Sequence, residues 1–294
     1  MKKVGHFFFA LVPLLLTNIV QYCAVFFGMG ISALSEGAWY TLIQPSGSFS
    51  FMDLTSLWSS ISFNTVIMIV YASMNIAVFG IWYYVCYEGS VILDIRRTFH
   101  PMTVIGILLL MPGTQYLTSY LISFVSALFP QWLEQYMNLM ESAGMDSSLT
   151  ISMFCYSVLF APLSEELIFR GVTLRQARRA LPFWAANILQ ALLFGVFHMN
   201  LLQGIYAFFL GLILGYVCHR GGSISHAILL HILFNFWGTV ISQFITIGDS
   251  VFSFLFWLFF GIAVTVGGLL LFRAGATRKS MQTASSTPST PPGI

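Results

Sequence analysis

Buried acid, imidazole and carboxamide groups are what a chain needs to cleave an amide bond with water, and this sequence carries them at helical spacing. Pro162–Gly171 reads Pro-Leu-Ser-Glu-Glu-Leu-Ile-Phe-Arg-Gly, which places Glu165, Glu166 and Arg170 in an otherwise apolar segment. On a helix, residues four apart share a face, so Glu166 can pair with Arg170. Glu165 is turned by about 100° from Glu166 and has no such local partner. One carboxylate is tied down and the other is free to work. Further on, Phe194-Gly-Val-Phe-His198 sets a ring four residues before an imidazole, on the same face and able to shield it. His231-Ile-Leu-Phe-Asn235 repeats the spacing with an imidazole and a carboxamide, a pair of hydrogen-bond donors. Amide hydrolysis needs a base to activate water and donors to stabilise the oxyanion. Glu165 with His198 fits the first task, and His231 with Asn235 fits the second.

Each group alone has a plainer explanation. A lone intramembrane His or Asn commonly makes a helix-packing hydrogen bond worth about 0.6 kcal/mol. A Glu-Glu pair near a helix end can be a solvated face. The joint, ordered occurrence in three apolar segments favours a site. No Gly-x-Ser-x-Gly elbow is present, and Cys23, Cys86, Cys155 and Cys218 are scattered singly, as small buried hydrophobes are. His100, His219 and His226 lie near segment ends, and His226 is turned about 140° from His231.

The elements that must position these residues are membrane helices. The chain is 57% hydrophobic and 7% charged, with a mean hydropathy of +0.84, which excludes a soluble globular domain. A net charge of +2 without a basic, aromatic-rich patch excludes a nucleic-acid partner. A spanning helix needs about 20 apolar residues. That rule predicts an all-α polytopic bundle of about eight spans, roughly 7–31, 61–86, 103–128, 149–171, 183–199, 200–218, 224–247 and 251–272. The apolar run after Met-Lys-Lys is longer than a signal peptide's core of about 7–15 residues, so it reads as a retained first helix. The expected organisation is one transmembrane domain over 1–273, with the motif-bearing core at about 149–247. A disordered polar tail is expected over 274–294, where Ser, Thr and Pro are frequent.

With eight spans, all 12 Lys and Arg residues fall on the side of the N-terminus: Lys2, Lys3, Arg96, Arg97, Arg170, Arg175, Arg178, Arg179, Arg220, Arg273, Arg278 and Lys279. The opposite loops carry Glu36, Asp53, Glu134, Glu141, Asp146 and Asp249. The positive-inside rule then predicts an N-in, C-in topology, and Trp39, Trp58, Trp82 and Trp132 lie near span ends as interface aromatics do. Spans five and six are short, with Met199 and Asn200 between them, and a half-inserted or tilted pair would satisfy the charges equally well. If span four ends near Gly171, Glu165 lies about 10 Å from the inner face, whereas His198 lies about 24 Å along its helix from Pro182. The two meet only if Leu174–Leu181 extends below the membrane or the spans tilt strongly. If Glu166 faced the cavity and Glu165 the lipid, their roles would reverse.

Glu-Glu-x-x-x-Arg, Phe-x-x-x-His and His-x-x-x-Asn, in this order, resemble the three motifs of the CAAX-protease and bacteriocin-processing family of intramembrane proteases. That family includes prenyl-protein endopeptidases of the endoplasmic reticulum and many bacterial members. The resemblance covers about 160–236, and the first 150 residues match nothing specific. Each motif alone is weak, and the ordered set within spans is specific. The resemblance implies that Glu165 is the general base assisted by His198. It implies that Glu166 and Arg170 are structural or substrate-orienting, and that His231 and Asn235 form the oxyanion hole. Its implied substrate is a membrane-associated peptide or protein, a CAAX-like tail or a leader, and its implied location here is a bacterial inner membrane.

The family has also been described as metalloproteases, so zinc held by Glu165, His198 and His231 is the alternative. Zinc sites favour His-Glu-x-x-His, where one helix gives two ligands, whereas these come singly from three helices, so water activated by a carboxylate without metal is favoured. Two other classes compete. A proton- or ion-coupled transporter would use the same buried Glu and His, but no inverted repeat is present. A non-catalytic scaffold or immunity protein is the other, and the filled motif positions argue against it.

Overall fold

Long apolar runs must satisfy their backbone hydrogen bonds internally in a bilayer, and here they do so as helices. A computed structural model of the chain describes residues 2–42, 51–87, 100–142, 150–244 and 250–286. Arg96, Arg97, Asp146 and Asp249, on which part of the charge reading rests, lie outside the described residues, as does 287–294. Among the described residues the secondary structure is helical, without strands. In chain order the helices are α1 (Lys2–Phe9), α2 (Val12–Leu42), α3 (Phe51–Trp58), α4 (Ile61–Tyr87), α5 (Pro101–Leu128) and α6 (Pro130–Ser142). They continue with α7 (Ile151–Arg178), α8 (Phe183–Phe197), α9 (Leu201–Gly221), α10 (Ile224–Thr239) and α11 (Val251–Ser286). The chain is an all-α polytopic bundle.

Seven helices of the described residues are long and apolar enough to cross a membrane, one fewer than the sequence suggested. The eighth expected span corresponds to α8, a shorter apolar helix. At 15 residues it is about 22 Å long, short of a hydrocarbon core of about 30 Å. It forms an antiparallel hairpin with α9. Gly195 faces Gly204, Ala191 faces Gly211, and Phe183 stacks on His219 at 4.0 Å. A Cβ on Gly195 would sit 2.6 Å from the Gly204 carbonyl oxygen, so backbone meets backbone there. Small residues permit such an approach where lipid offers no hydrophobic drive for helix association. The turn is Met199, in the left-handed region at φ 53°, followed by Asn200, whose side chain accepts from the Gln203 N–H at 3.0 Å.

α7 also runs further than expected, past Gly171 to Arg178. That extension removes the mismatch of depth between Glu165 and His198. Counted from the α7–α8 turn, Glu165 is about 20 Å along α7 and His198 about 22 Å along α8. At the far end of the chain, α11 continues as helix through Ser286, into the stretch expected to be disordered. Its residues from Ala274 on are mostly good helix formers, and proline first appears at Pro288.

The basic ends are gathered by contacts. Gln176 of α7 bonds His6 of α1 at 2.8 Å, and Arg220 of α9 donates to Thr277 of α11 at 3.1 Å. The buried core lies between α4, α5 and α7–α11, with Phe79, Tyr83, Leu110, Phe169, Phe194, Leu214, Leu230 and Phe272 among its members.

Candidate active site

α7 is not a uniform helix. It passes from α at Ile151–Cys155 to π winding at Tyr156–Phe160, to α at Ala161–Glu166, to π winding at Leu167–Thr173, and back to α at Leu174–Arg178. The Glu-Glu pair therefore sits at the end of a short α segment bracketed by two widened ones. Such π segments are frequent at functional sites. A π turn disturbs the i→i−4 ladder, and Asn235 donates its Nδ2–H to the carbonyl of Ser157, inside the first widened segment, at 2.8 Å. The carboxamide has two N–H groups, so one remains for another acceptor.

The two glutamates have different surroundings. Glu166 and Arg170 are both fully buried, and Arg170 Nη1 donates to Glu166 Oε1 at 2.8 Å. His231 Nδ1 lies 2.7 Å from the same oxygen. An ionised carboxylate paired with arginine can only accept, so His231 carries its proton on Nδ1 and turns Nε2 outward. Nε2 lies 3.6 Å from Glu165 Oε2, and the Glu165 side chain keeps 12% of its surface accessible. The pairing expected for Glu166 and Arg170 is formed. His231 stands between the two carboxylates.

Phe194 organises the rest. Its ring lies 4.5 Å beneath the Arg170 guanidinium, 4.9 Å from the His198 ring and 5.9 Å from the His231 ring, both edge-on. Phe169 packs beside it at 5.1 Å. His198, the residue that caps α8, places Nδ1 2.8 Å from the Phe194 carbonyl oxygen. A carbonyl can only accept, so His198 also carries its proton on Nδ1 and keeps Nε2 as a base. Among the described residues no hydrogen bond or ion pair joins His198 to Glu165 directly. The shared aromatic edge brings the imidazole to the site.

Behind Arg170 runs a polar chain that the spacing motifs did not reveal. Arg170 Nη2 donates to the Gly211 carbonyl at 3.3 Å, and Gln190 Nε2 donates to the same oxygen at 2.9 Å. Gln190 Nε2 also reaches Asn187 Oδ1 at 2.8 Å, and Asn187 donates to the Leu212 carbonyl at 3.0 Å. Asn187 and Gln190 are fully buried. Two amides three apart in a 15-residue apolar helix were the available signal. Glu166 Oε2 and Arg170 Nε have no hydrogen-bond partner among the described residues, so the ion pair is held by one bond rather than a bidentate fork.

α10 reaches the site because α9 ends at Gly222, whose φ of 70° is the left-handed conformation glycine adopts most readily, and Ser223 caps the next helix. His226 points elsewhere, buried edge-on to Phe272 at 5.4 Å. A catalytic zinc takes three protein ligands with an open fourth position. Among the described residues no three His, Cys, Asp or Glu side chains converge as such a group.

No curated protein and no solved structure matches the chain. The family model described as Type II CAAX prenyl endopeptidase Rce1-like matches residues 147–237, which run from just before α7 to near the end of α10 and hold every side chain of the site. The chain is an integral membrane protein, and its segment 147–237 is similar to the type II CAAX prenyl endopeptidases of that family model.

Proposed function

We propose that the chain is an intramembrane endopeptidase in which Glu165 activates a water for attack on a peptide carbonyl. The observation that carries this reading is the division of labour between adjacent carboxylates. Glu166 Oε1 is occupied by both Arg170 and His231, whereas Glu165 is partly accessible and 3.6 Å from His231 Nε2. A water set off that line can touch both atoms. Glu165 takes a proton as the water oxygen bonds to the carbonyl carbon. The oxyanion is met by the second N–H of Asn235, and by His231 when its Nε2 is protonated. Glu166 then stabilises the imidazolium, much as the carboxylate of a catalytic triad does. On collapse the C–N bond breaks and the proton on Glu165 passes to the leaving amine. His198, with Nε2 free, helps to hold the water.

The substrate class proposed is a membrane-associated peptide, either a CAAX-like tail or a leader. The proposed setting is a bacterial inner membrane, with the basic ends of the helices on the inside. The test is peptide cleavage by purified protein, with and without a strong chelator, for the wild type and Glu165→Gln. Cleavage that survives chelation and falls by about 10²–10⁴-fold in the variant is expected. Retained cleavage by Glu165→Gln would remove Glu165 as the base. Loss on chelation with recovery on zinc would replace the carboxylate mechanism with a metal-assisted one.

A further inference from the structure

A cavity of about 550 Å³ lies beside the C-terminal end of α7, walled by α1, α4 and the end of α7. Gln176 on its wall is eleven residues from Glu165, about 16 Å along the helix. Its walls divide by chemistry. One side is aromatic: Phe9 meets Trp82 edge-on at 5.5 Å, and Trp82 stacks on Phe79 at 6.0 Å. The other side is polar. Buried Gln176 accepts from the Tyr87 hydroxyl at 2.9 Å and bonds His6 Nδ1 at 2.8 Å, tying the three helices together. Above Tyr87, 5.0 Å from its ring, is the guanidinium of Arg179. Arg179 is exposed, and no acidic side chain among the described residues pairs with it. Arg175 lies outside the lining, over Tyr83 at 4.9 Å, and donates to the Tyr83 hydroxyl at 3.0 Å.

We infer that this cavity binds an acidic phospholipid, with the phosphodiester on Arg179 and the proximal acyl chain against Phe9 and Trp82. A free anion would leave the aromatic wall unused, and an uncharged apolar ligand would bring no counter-charge to Arg179. The position suits a lipid: tryptophan and arginine mark the headgroup level, and juxtamembrane basic residues favour acidic lipid. The site is separate from the peptidase reading and does not depend on it. Because Gln176 and Glu165 share α7, an occupant would brace the base of the helix that carries the site.

The test is thermal unfolding of the purified full chain in detergent, titrated separately with phosphatidylglycerol, phosphatidylcholine and inorganic phosphate. Phosphatidylglycerol is expected to raise the midpoint saturably and the other two to leave it in place. Arg179→Gln should weaken the apparent affinity about fivefold, and Arg179→Lys should restore most of it. Arg178→Gln removes the same charge outside the cavity and should change affinity less than about twofold. Equal protection by phosphatidylcholine, or equal loss in the Arg178 and Arg179 variants, would overturn the proposal, since neither needs an anion-selective site at Arg179. Protection by inorganic phosphate alone would overturn the lipid as occupant.

Discussion

Two helix pairs in this protein bring backbones into contact through glycine, and they use that closeness differently. In α5–α11, Gly106 packs against Gly268 and Phe272, where a Cβ would lie 2.6 Å from the Phe272 nitrogen. Two buried hydroxyls of that pair bond within their own helices: Thr114 to the Leu110 carbonyl at 2.7 Å and Thr265 to the Gly261 carbonyl at 2.7 Å. In α8–α9, Gly195 and Gly204 are equally close, but the buried polar groups bond across helices. The Gly211 carbonyl of α9 serves Gln190 of α8 and Arg170 of α7 together. In the first pair these threonines are satisfied within their own helices, and the packing serves as scaffold. In the second, close packing exposes a carbonyl to the buried charges of the site, so packing and chemistry cannot be changed independently.

The largest expected effect separates the two regions most sharply. Glu166→Leu leaves Arg170 and His231 without their shared acceptor inside the bundle, and breaking a buried pair by removing one partner costs about 3–5 kcal/mol. Unfolding of the purified protein in detergent should show that loss, with peptide cleavage abolished. Thr114→Val in the scaffold pair should cost about 0.6 kcal/mol or less and leave cleavage unchanged. Similar losses in the two variants would mean that the cross-helix network has no special weight.

A second pair of variants holds stability constant and asks about function. Gly106→Ala and Gly195→Ala each press a Cβ to 2.6 Å from a neighbouring backbone atom. Overpacking of this kind costs about 1–3 kcal/mol in either place. Gly195 sits one turn from His198, and its carbonyl accepts the His198 N–H at 3.3 Å. The Gly195 variant should therefore lose about tenfold or more in kcat of the folded fraction, because small misplacement of catalytic groups is costly. The Gly106 variant should keep kcat and lose only its melting temperature. Equal kcat in both would place His198 outside the reaction.

Gln190→Leu sharpens the comparison further. It deprives the Gly211 carbonyl of its shorter hydrogen bond and Asn187 Oδ1 of its donor, at a cost of about 1–2 kcal/mol. Arg170 can take fuller possession of Gly211, so activity should fall by only a few-fold in cleavage assays. A collapse of activity would show that Arg170 depends on Gln190 for its position.

What could be read from the residues alone follows from the same contrast. Apolar length announced α2, α4, α5, α7, α9, α10 and α11, since spanning a bilayer imposes it. The i, i+4 rule announced Glu166 with Arg170, and Phe194 beside His198. It could not announce the inter-helix contacts. That α8 is short follows from its hairpin with α9, which depends on glycines meeting across a turn, and an apolar run read linearly carries no such information. The π winding either side of Glu165 leaves no mark in residue type. It also explains why Asn235 reaches a backbone carbonyl of α7 while His231, one turn earlier, lies between the carboxylates. Asn187 and Gln190 were visible as amides in an apolar run, but their partner is a carbonyl on α9, and backbone acceptors are silent in a sequence.

The smallest expected effect concerns the hinge of the α8–α9 hairpin. Met199 holds φ at 53° immediately after His198, and its side chain is 87% exposed, so it gains little from packing. A left-handed conformation costs a residue with a Cβ about 1–2 kcal/mol, which glycine escapes at the expense of greater freedom when unfolded. Met199→Gly should accordingly raise stability by about 0.5–1 kcal/mol. If the strained turn does no more than connect the helices, kcat will stay where it was. If instead the methionine fixes the angle at which His198 is presented, stability will rise while kcat falls, and the pH profile will keep its shape because no titrating group has been removed. Deep-scaffold turns should show no such opposition between stability and rate, so the sign of the kcat change decides whether this hinge belongs with the scaffold or with the site.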